Sequence, residues 1–390
     1  MLVKQYIPIK NLGKIVTGKT PSTKNPENFS RDIMFITPVD LKQGYALRYS
    51  NRYISKQGFE SIQANTISGI SVLVGCIGSD LGNVSIINAK CATNQQINAI
   101  TNIKKEYDPY YIYYWFCQKK AFLHNIAGNT TTPIINKTDF EDIIIDIPNL
   151  HIQNKITNIL KALDDKIEQN NKINAELEAT ARDLYNYWFI QFDFPDEFRR
   201  PYKSSGGKML YNDVLKREIP DGWEVKSIKD FCNVITGKED ANFATTNGIY
   251  PFFTCGDEIL KCDKSAFEGK AILIAGNGNF NVKYYEGKFN AYQRTYVLIP
   301  TEQKYVGIMY RAMLDAVAKF THGSNGSIVK FITKGDIENT YVIVPNNVNL
   351  LDFFNGYLSQ VEFIKKQTSD LEEIRDFLLP MLMNGQVSVS

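Results

Sequence analysis

Gly13 to Thr20 spell G-K-I-V-T-G-K-T, the G-x-x-x-x-G-K-T spacing in which a glycine-rich turn cradles phosphates and a lysine reaches the outer ones. That chemistry needs a helix rising directly from the G-K-T, so that its first N–H groups meet the anion. Pro21 and Pro26 follow instead, with no apolar helical stripe, and no such helix is expected. Ala275–Phe280 (AGNGNF) supplies one G-x-G without the third glycine or the acidic residue of a dinucleotide site. His124, His151 and His322 lack H-x-x-x-H and H-E-x-x-H spacing, and no G-x-S-x-G occurs. Neither Asn25-Pro26 nor Asp108-Pro109 continues into the second proline of an amino-methyltransferase loop. The cysteines (Cys76, Cys91, Cys117, Cys232, Cys255, Cys262) form no C-x-x-C pair, which fits buried reduced thiols rather than disulfides or a metal site. Nothing in these spacings assembles a catalytic set.

The elements that carry these residues are written twice. "IKNLGKIVTGK" (Ile9–Lys19) returns as "IKDFCNVITGK" (Ile228–Lys238), and the copy has Cys232 for Gly13 and Glu239 for Thr20. The shared element is V/I-T-G-K, so the P-loop spelling is accidental. "SVLVGCIGSDLGNVSI" (Ser71–Ile86) matches "KAILIAGNGNFNVKYY" (Lys270–Tyr285), and "ATNQQINAI" (Ala92–Ile100) matches "AYQRTYVLI" (Ala291–Ile299). "NKTDFEDIIIDIP" (Asn136–Pro148) matches "TKGDIENTYVIVP" (Thr333–Pro345), and "LEATARDL" (Leu177–Leu184) matches "LEEIRDFL" (Leu371–Leu378). The offsets shrink along the chain from 219 to about 194, the signature of a duplication with deletions. Most of the extra length of the first half, about twenty residues, is expected between the G-K and the next shared strand, in "TPSTKNPENFSRDIMFITPVDLK" (Thr20–Lys42).

Each half begins with β-branched and aromatic runs broken by Gly and Asn, which read as strands and turns, and closes with a long amphipathic helix. The fold expected is α+β: a mixed α/β domain over 1–146, a helix over 147–190, a linker over 191–220, a second domain over 221–344 and a second helix over 345–390. The first helix, about 37 residues, spans roughly 55 Å. A pseudo-twofold arrangement lays the two helices antiparallel as a coiled coil, packed through Ile156, Leu163, Ile167, Leu177 and Leu184 against Phe354, Leu358, Val361, Leu371 and Leu378. In "QNNKIN" (Gln169–Asn174), Asn170 and Asn174 are expected on the solvated face, with Asn171 open between burial and solvent. Pro380 and Gly385 are expected to end or bend the second helix. "FRRPYKSSGGKM" (Phe198–Met209) reads as an exposed, solubilising linker.

With 44% hydrophobic and 22% charged residues over 390 positions, the composition is that of a globular chain of two or three domains, without a membrane span or a signal peptide, hence cytoplasmic. The net charge is +2, but the stretches 151–190 and 351–390 carry −4 between them, which leaves +6 on the strand-rich parts. A phosphate-facing surface belongs there.

In their order, duplication and spacing, "LGKIVTGKTPSTKNPENF", "CATNQQINAI", "TTTPIINKTDFEDIIIDIPNLHIQNKI" and "ILKALDDKIEQNNKINAELEATARDLYNYWFIQFDFP" resemble the specificity subunits of bacterial type I restriction-modification systems. So do "IPDGWEVKSIKDF", "GKFNAYQRTYVLIP" and "LEEIRDFLLPMLMNGQV", although "VPNNVNLLDFF" lacks the Gln and Lys of "PNLHIQNK". The resemblance implies a non-catalytic DNA-reading subunit of a phage-defence complex. Each strand-rich part would be a target recognition domain for one half of an asymmetric bipartite site in double-stranded DNA. The helices would be the spacer and the docking surface for two DNA adenine methyltransferase subunits and for restriction/translocase subunits. No cofactor is implied in this chain; S-adenosylmethionine, ATP and Mg2+ would sit on the partners. A nucleotide- or S-adenosylmethionine-dependent enzyme, or a coiled-coil adaptor of another phage-defence complex, stands as the alternative.

Phosphate positioning needs cations, and base readout needs planar or bidentate groups on loops. The DNA-contact residues expected in the first half are Lys19, Thr20, Ser22 and Lys24, then Asn94, Gln95 and Gln96, then Asn129, Thr130 and Thr131. Those of the second half are Lys238, Asn277, Asn279, Lys283, Tyr285, Gln293, Arg294, His322, Ser324 and Asn325. Asn and Gln suit adenine and Arg294 suits guanine. Asn277 and Asn279 serve equally as turn residues beside Gly278, and a cation-π or ion-pair role stands beside readout for Arg294.

Overall fold

The run Ile70–Gly75 (ISVLVG) forms a strand buried from its second residue onward, as a continuous apolar run bounded by turn residues should. It is β6 in the series β1 (Gln5–Pro8), β2 (Lys14–Thr17), β3 (Ile33–Ile36), β4 (Tyr53–Ile54), β5 (Thr66–Ile67), β6, β7 (Val84–Asn88), β8 (Cys91–Thr93), β9 (Ile97–Thr101) and β10 (Ile144–Ile147). A computed structural model describes residues 3–128, 132–321 and 331–387. They fall into two units, Met1–Glu168 with Ser369–Ser390, and Gln169–Thr368.

In the first unit one sheet runs β2-β9-β6-β7, a second runs β4-β3-β8-β5, and β1 pairs antiparallel with β10. β3 lies parallel to β8, with Met34 opposite Cys91. Helix α1 (Lys56–Glu60) follows β4, and α2 (Pro109–Cys117), α3 (Lys120–Ala127) and α4 (Lys137–Glu141) follow β9. Asp108 caps α2 by accepting from the Tyr110 N–H, and the helix buries Tyr111, Ile112, Tyr114 and Phe116 with Val72, Val74 and Ile100.

The second unit repeats this topology. After the hairpin β11 (Met209–Asn212) and β12 (Arg217–Pro220) come β13 (Glu224–Ser227), β14 (Ile235–Thr236), β15 (Tyr250–Phe253), β16 (Ile259–Cys262), β17 (Phe267–Ala275), β18 (Val282–Ala291), β19 (Thr295–Leu298) and β20 (Tyr341–Val344). β13 pairs with β20 as β1 does with β10, and β15 lies parallel to β18 as β3 does to β8. The sheet order is β14-β19-β17-β18-β15-β16. The single long strand β18 takes the places of both β7 and β8, and so joins what the first unit keeps as two sheets. Helices α6 (Val306–Thr321) and α7 (Lys334–Glu338) complete the repeat. Asn136 caps α4 and Thr333 caps α7, each accepting from the backbone N–H three residues on.

The extra length of the first half does lie between the G-K and β6, but Thr20–Lys42 holds only its beginning, because β3 within that stretch has its counterpart in β15. It lies between β3 and β4 and between β4 and β6, and a polar turn holds the first of these insertions. The buried Asp40 carboxylate accepts from the N–H groups of Thr37 at 2.7 Å and Asn51 at 3.0 Å and from the Asn51 amide at 2.9 Å. The insertion also grips the long helix Leu150–Tyr185, with Tyr45 donating to Asp165 at 3.0 Å and Arg48 bridging Glu168 at 2.7 and 3.1 Å. The linker stretch is exposed but not loose. Phe194 stacks on Tyr202 and Trp223, Asp193 accepts from Ser204, and Arg200 pairs with Asp196.

The long helices are α5 (Leu150–Tyr185), continued by a π turn over Asn186–Ile190, and α8 (Val348–Met383). At 36 residues each, they are about 54 Å long. Pro380 does not end α8, which runs through it; Gly385, with φ of +72°, follows the last turn. In the second unit the helices meet antiparallel, with the Tyr185 ring 5.9 Å from that of Phe354, Lys365 3.8 Å from Glu178, and Leu358 and Val361 buried. In the first unit Ile156 and Leu160 are buried with Leu382 and Met383. Ile167 is buried as well, whereas Leu163, Leu177, Leu184, Leu371 and Leu378 are half-buried.

Polar residues interrupt the seam. Contrary to the solvated placement expected, Asn170 is 1% and Asn174 8% exposed, while Asn171 faces solvent. Asn170 is held there because its amide donates to Gln367 at 2.9 Å and Thr368 at 3.3 Å. Asn174 Oδ1 is buried with no partner among the described residues. An unmet buried acceptor costs about 1–3 kcal/mol. Asn174→Leu is therefore expected to raise the denaturant midpoint by the equivalent of about 1 kcal/mol, and a lowered midpoint would show that the amide is satisfied.

Among the described residues no arginine pairs with Glu362 on α8. Burial raises its carboxyl above the ordinary carboxylate range, Lys365 opposes this and Glu286 adds to it, with Tyr284 and Tyr285 alongside. The native chain thus keeps a proton that the unfolded chain releases near about pH 4.3. Stability falls as pH rises from there through the raised native value. Thermal unfolding of Glu362→Gln between about pH 4 and about pH 8 is expected to show a shallower decline and a more stable protein at the upper end. An unchanged slope would refute the assignment.

Candidate nucleic-acid interface

The V/I-T-G-K element follows β2 in one unit and β14 in the other, and its glycine is required by packing. The Gly18 N–H donates to the Ile97 carbonyl at 3.1 Å, and the Gly237 N–H to that of Thr295 at 3.1 Å. A Cβ on Gly18 would lie 2.1 Å from the Asn94 carbonyl oxygen, and one on Gly237 would lie 1.8 Å from that of Ala291. The crossing strand touches the backbone, so only glycine fits. A phosphate cradle needs these N–H groups free and a helix behind them. Here the Gly18 N–H is engaged, and only the short 3-10 turn Pro26–Asn28 follows.

This contact sets the loop that follows the glycine against a turn in each unit. In the first, the Thr20 hydroxyl donates to Gln95 Oε1 at 2.8 Å, and the Asn94 amide to Gln96 Oε1 at 2.8 Å. Lys19, Ser22 and Lys24 are exposed beside them. The Cys76 N–H donates to the Gln96 carbonyl and the Ile135 N–H to that of Cys76, which brings the chain after residue 131 to the same sheet end. Asn129, Thr130 and Thr131 lie outside the described residues. Two ties there were missed from sequence, Lys42 to Asp80 at 3.1 Å and Lys120 to Asn83 at 3.0 Å.

In the second unit the Gln293 N–H donates to the Glu239 carbonyl, so Lys238 and the Gln293–Arg294 turn stand together. The Gly276 N–H donates to the Arg294 carbonyl and the Ile332 N–H to that of Gly276. These bonds gather the β17–β18 hairpin and its half-buried Asn277 to the same end. His322, Ser324 and Asn325 lie outside the described residues. Asn279 is bound to Asp257 at 2.7 Å, and Lys283 to the Gly256 carbonyl, with its ammonium pKa lowered by burial. Tyr285 packs its ring 5.3 Å from Phe253 and 5.7 Å from Phe289, as part of an aromatic cluster. Asp257, Asn281 and Cys255 were missed; the only signal was the turn composition of C-G-D.

Among the described residues Lys19, Lys24, Lys238 and Arg294 are exposed and in no ion pair, and no ring lies under Arg294. Both sheet ends therefore present cations, amides and hydroxyls, the groups that contact phosphates and base edges.

The type I restriction modification DNA specificity domain model matches residues 4–179 and 220–373, one stretch for each copy of the repeat. The chain belongs to the type I restriction-modification specificity family. Over 98% of its length the specificity chain is 28% identical to the type I restriction enzyme MjaIX specificity subunit of Methanocaldococcus jannaschii, of which it covers 93%. It is 35% identical to the EcoDI specificity subunit of Escherichia coli over 44% of this chain and 40% of that one. The crystal structure of a type I S subunit from M. genitalium shares its fold, with a TM-score of 0.63 at 18% identity over 98% of this chain and 96% of that one. No helix among the described residues of the specificity chain is long and apolar enough to cross a membrane.

Proposed function

We propose that this chain is the non-catalytic DNA reader of a type I restriction-modification complex, with each unit reading one half of an asymmetric bipartite site. The observation that carries this reading is the duplicated loop cluster, which presents Lys19 and Lys24 in one unit and Lys238 and Arg294 in the other, exposed and in no ion pair among the described residues. The long helices support the bipartite geometry. Each helix, at about 54 Å, is longer than one DNA turn of roughly 34–36 Å, the length a spacer between two half-sites needs. Methyltransferase and restriction/translocase subunits dock on the helices and bring S-adenosylmethionine, ATP and Mg2+, which locates the assembly in the cytoplasm with the DNA. A surface suited to such docking lies on the part of α8 in the first unit, where Ile374 and Phe377, 47% and 64% exposed, stand three residues apart on one helical face.

The test is modification-sensitive sequencing of host DNA with and without the gene. A split methylated motif that disappears with the gene is expected. A methylation pattern indifferent to the gene, or turnover of ATP or S-adenosylmethionine by the isolated chain, would overturn the reading.

A further inference from the structure

The second unit braces the backbone of one residue and leaves its side chain free. Asp257 accepts from the Asn279 amide at 2.7 Å and the Asn281 amide at 2.9 Å, and Asn281 and Lys283 both donate to the Gly256 carbonyl. The turn around Gly256 is thereby fastened to the β17–β18 hairpin. Both then grip the same atom: the Arg294 carbonyl oxygen accepts from the Gly276 N–H at 2.9 Å and from Cys255 Sγ at 3.4 Å. The Arg294 guanidinium, by contrast, is exposed, in no ion pair and over no ring among the described residues. The matching turn of the first unit has no arginine, and its amides are bonded to each other and to Thr20.

We infer that Arg294 reads a guanine in the half-site of the second unit, and that Asp257 is the positioning residue that aims it. This deepens the reading proposed above and rests on it. A planar fork donating two parallel N–H bonds matches guanine N7 and O6, and such a contact discriminates only when its backbone is held still. Asn279 and Lys283 are spent on the brace. They support the reader and do not read.

The test uses the complex with its methyltransferase partner, the methylated motif as readout, and duplexes substituted one position at a time. The wild-type motif is expected to hold a guanine at a position where Arg294→Ala lowers discrimination by on the order of ten- to a hundredfold, with every other position kept. Arg294→Lys, without the fork, should recover it only in part. Asp257→Ala removes both acceptors of the brace and should relax the same position. The swap Asp257→Asn with Asn279→Asp keeps a donor opposite an acceptor and should hold the preference, which a general loss of folding would not allow. Arg294→Ala that weakens all duplexes equally marks a phosphate contact and overturns the inference. So does Asp257→Ala that leaves the motif intact, or a swapped double variant that is as relaxed as Asp257→Ala. A wild-type complex with no split motif defeats the earlier reading instead.

Discussion

Gly237→Ala is expected to destabilise the chain by at least ~3 kcal/mol, measured by denaturant unfolding, and Gly18→Ala by a similar amount. The added methyl carbon would sit 1.8 Å from a backbone carbonyl oxygen in one case and 2.1 Å in the other, and a main-chain oxygen cannot be swung aside by a change of rotamer. The comparison with Lys19→Ala decides between two meanings of the same letters. If the G-K-T bound a nucleotide, the lysine would be essential and that substitution would abolish binding. If the glycine is there to let two backbones touch, Lys19→Ala unfolds like the parent while Gly18→Ala does not. A stable, folded Gly18→Ala chain would sink the packing account.

Arg375→Ala is expected to cost about 3–5 kcal/mol. Asp164 is 3% exposed and pairs with Arg375 at 2.9 Å, while the Tyr114 hydroxyl donates to its other oxygen at 2.6 Å. Burial already raises the Asp164 carboxyl above the ordinary range, although Tyr114 and Arg375 both pull it down. Without the guanidinium the native state gains affinity for a proton, so the destabilisation should shrink as pH falls and the lone carboxylate becomes neutral. Replacing both residues with leucine should come close to parental stability, because the pair largely offsets its own desolvation. Unfolding midpoints at two pH values test both statements, and a loss independent of pH would show that lost packing, not a stranded charge, is responsible.

The repeat, the strand-rich parts and the two helices were legible because period and punctuation are local signals. V/I-T-G-K was visible as a repeated element, but its cause is a contact with residues more than seventy positions later in the first copy, which no spacing rule reports. Asn170 was misplaced for a related reason: a polar residue is assigned to solvent unless its partner is known, and Thr368 and Gln367 are far away in sequence; Asn174 was misplaced because its buried oxygen meets no partner among the described residues. The insertion was placed too early because β3 and β15 share little more than an F-I-T and F-F-T ending, and only the parallel pairing reveals their equivalence. At the loop cluster, cations and amides could be nominated by type. Which of them are consumed by internal bonds depends on Asp257, a residue that reads as an ordinary turn aspartate.

The first unit is assembled from two ends of the chain, since Leu382 and Met383 enter its core and the Lys4 ammonium donates to the Met383 carbonyl at 2.6 Å. A ribosome making roughly 5–20 residues per second therefore delivers Glu168 about 10–40 s before Ser369 emerges. Through that interval the nascent amino-terminal module has an unfilled apolar hollow, while the carboxy-terminal one can close on contiguous chain. Co-translational chaperones should meet it there, and truncation before Leu378 should make the amino-terminal module, not its twin, the site of proteolytic nicking.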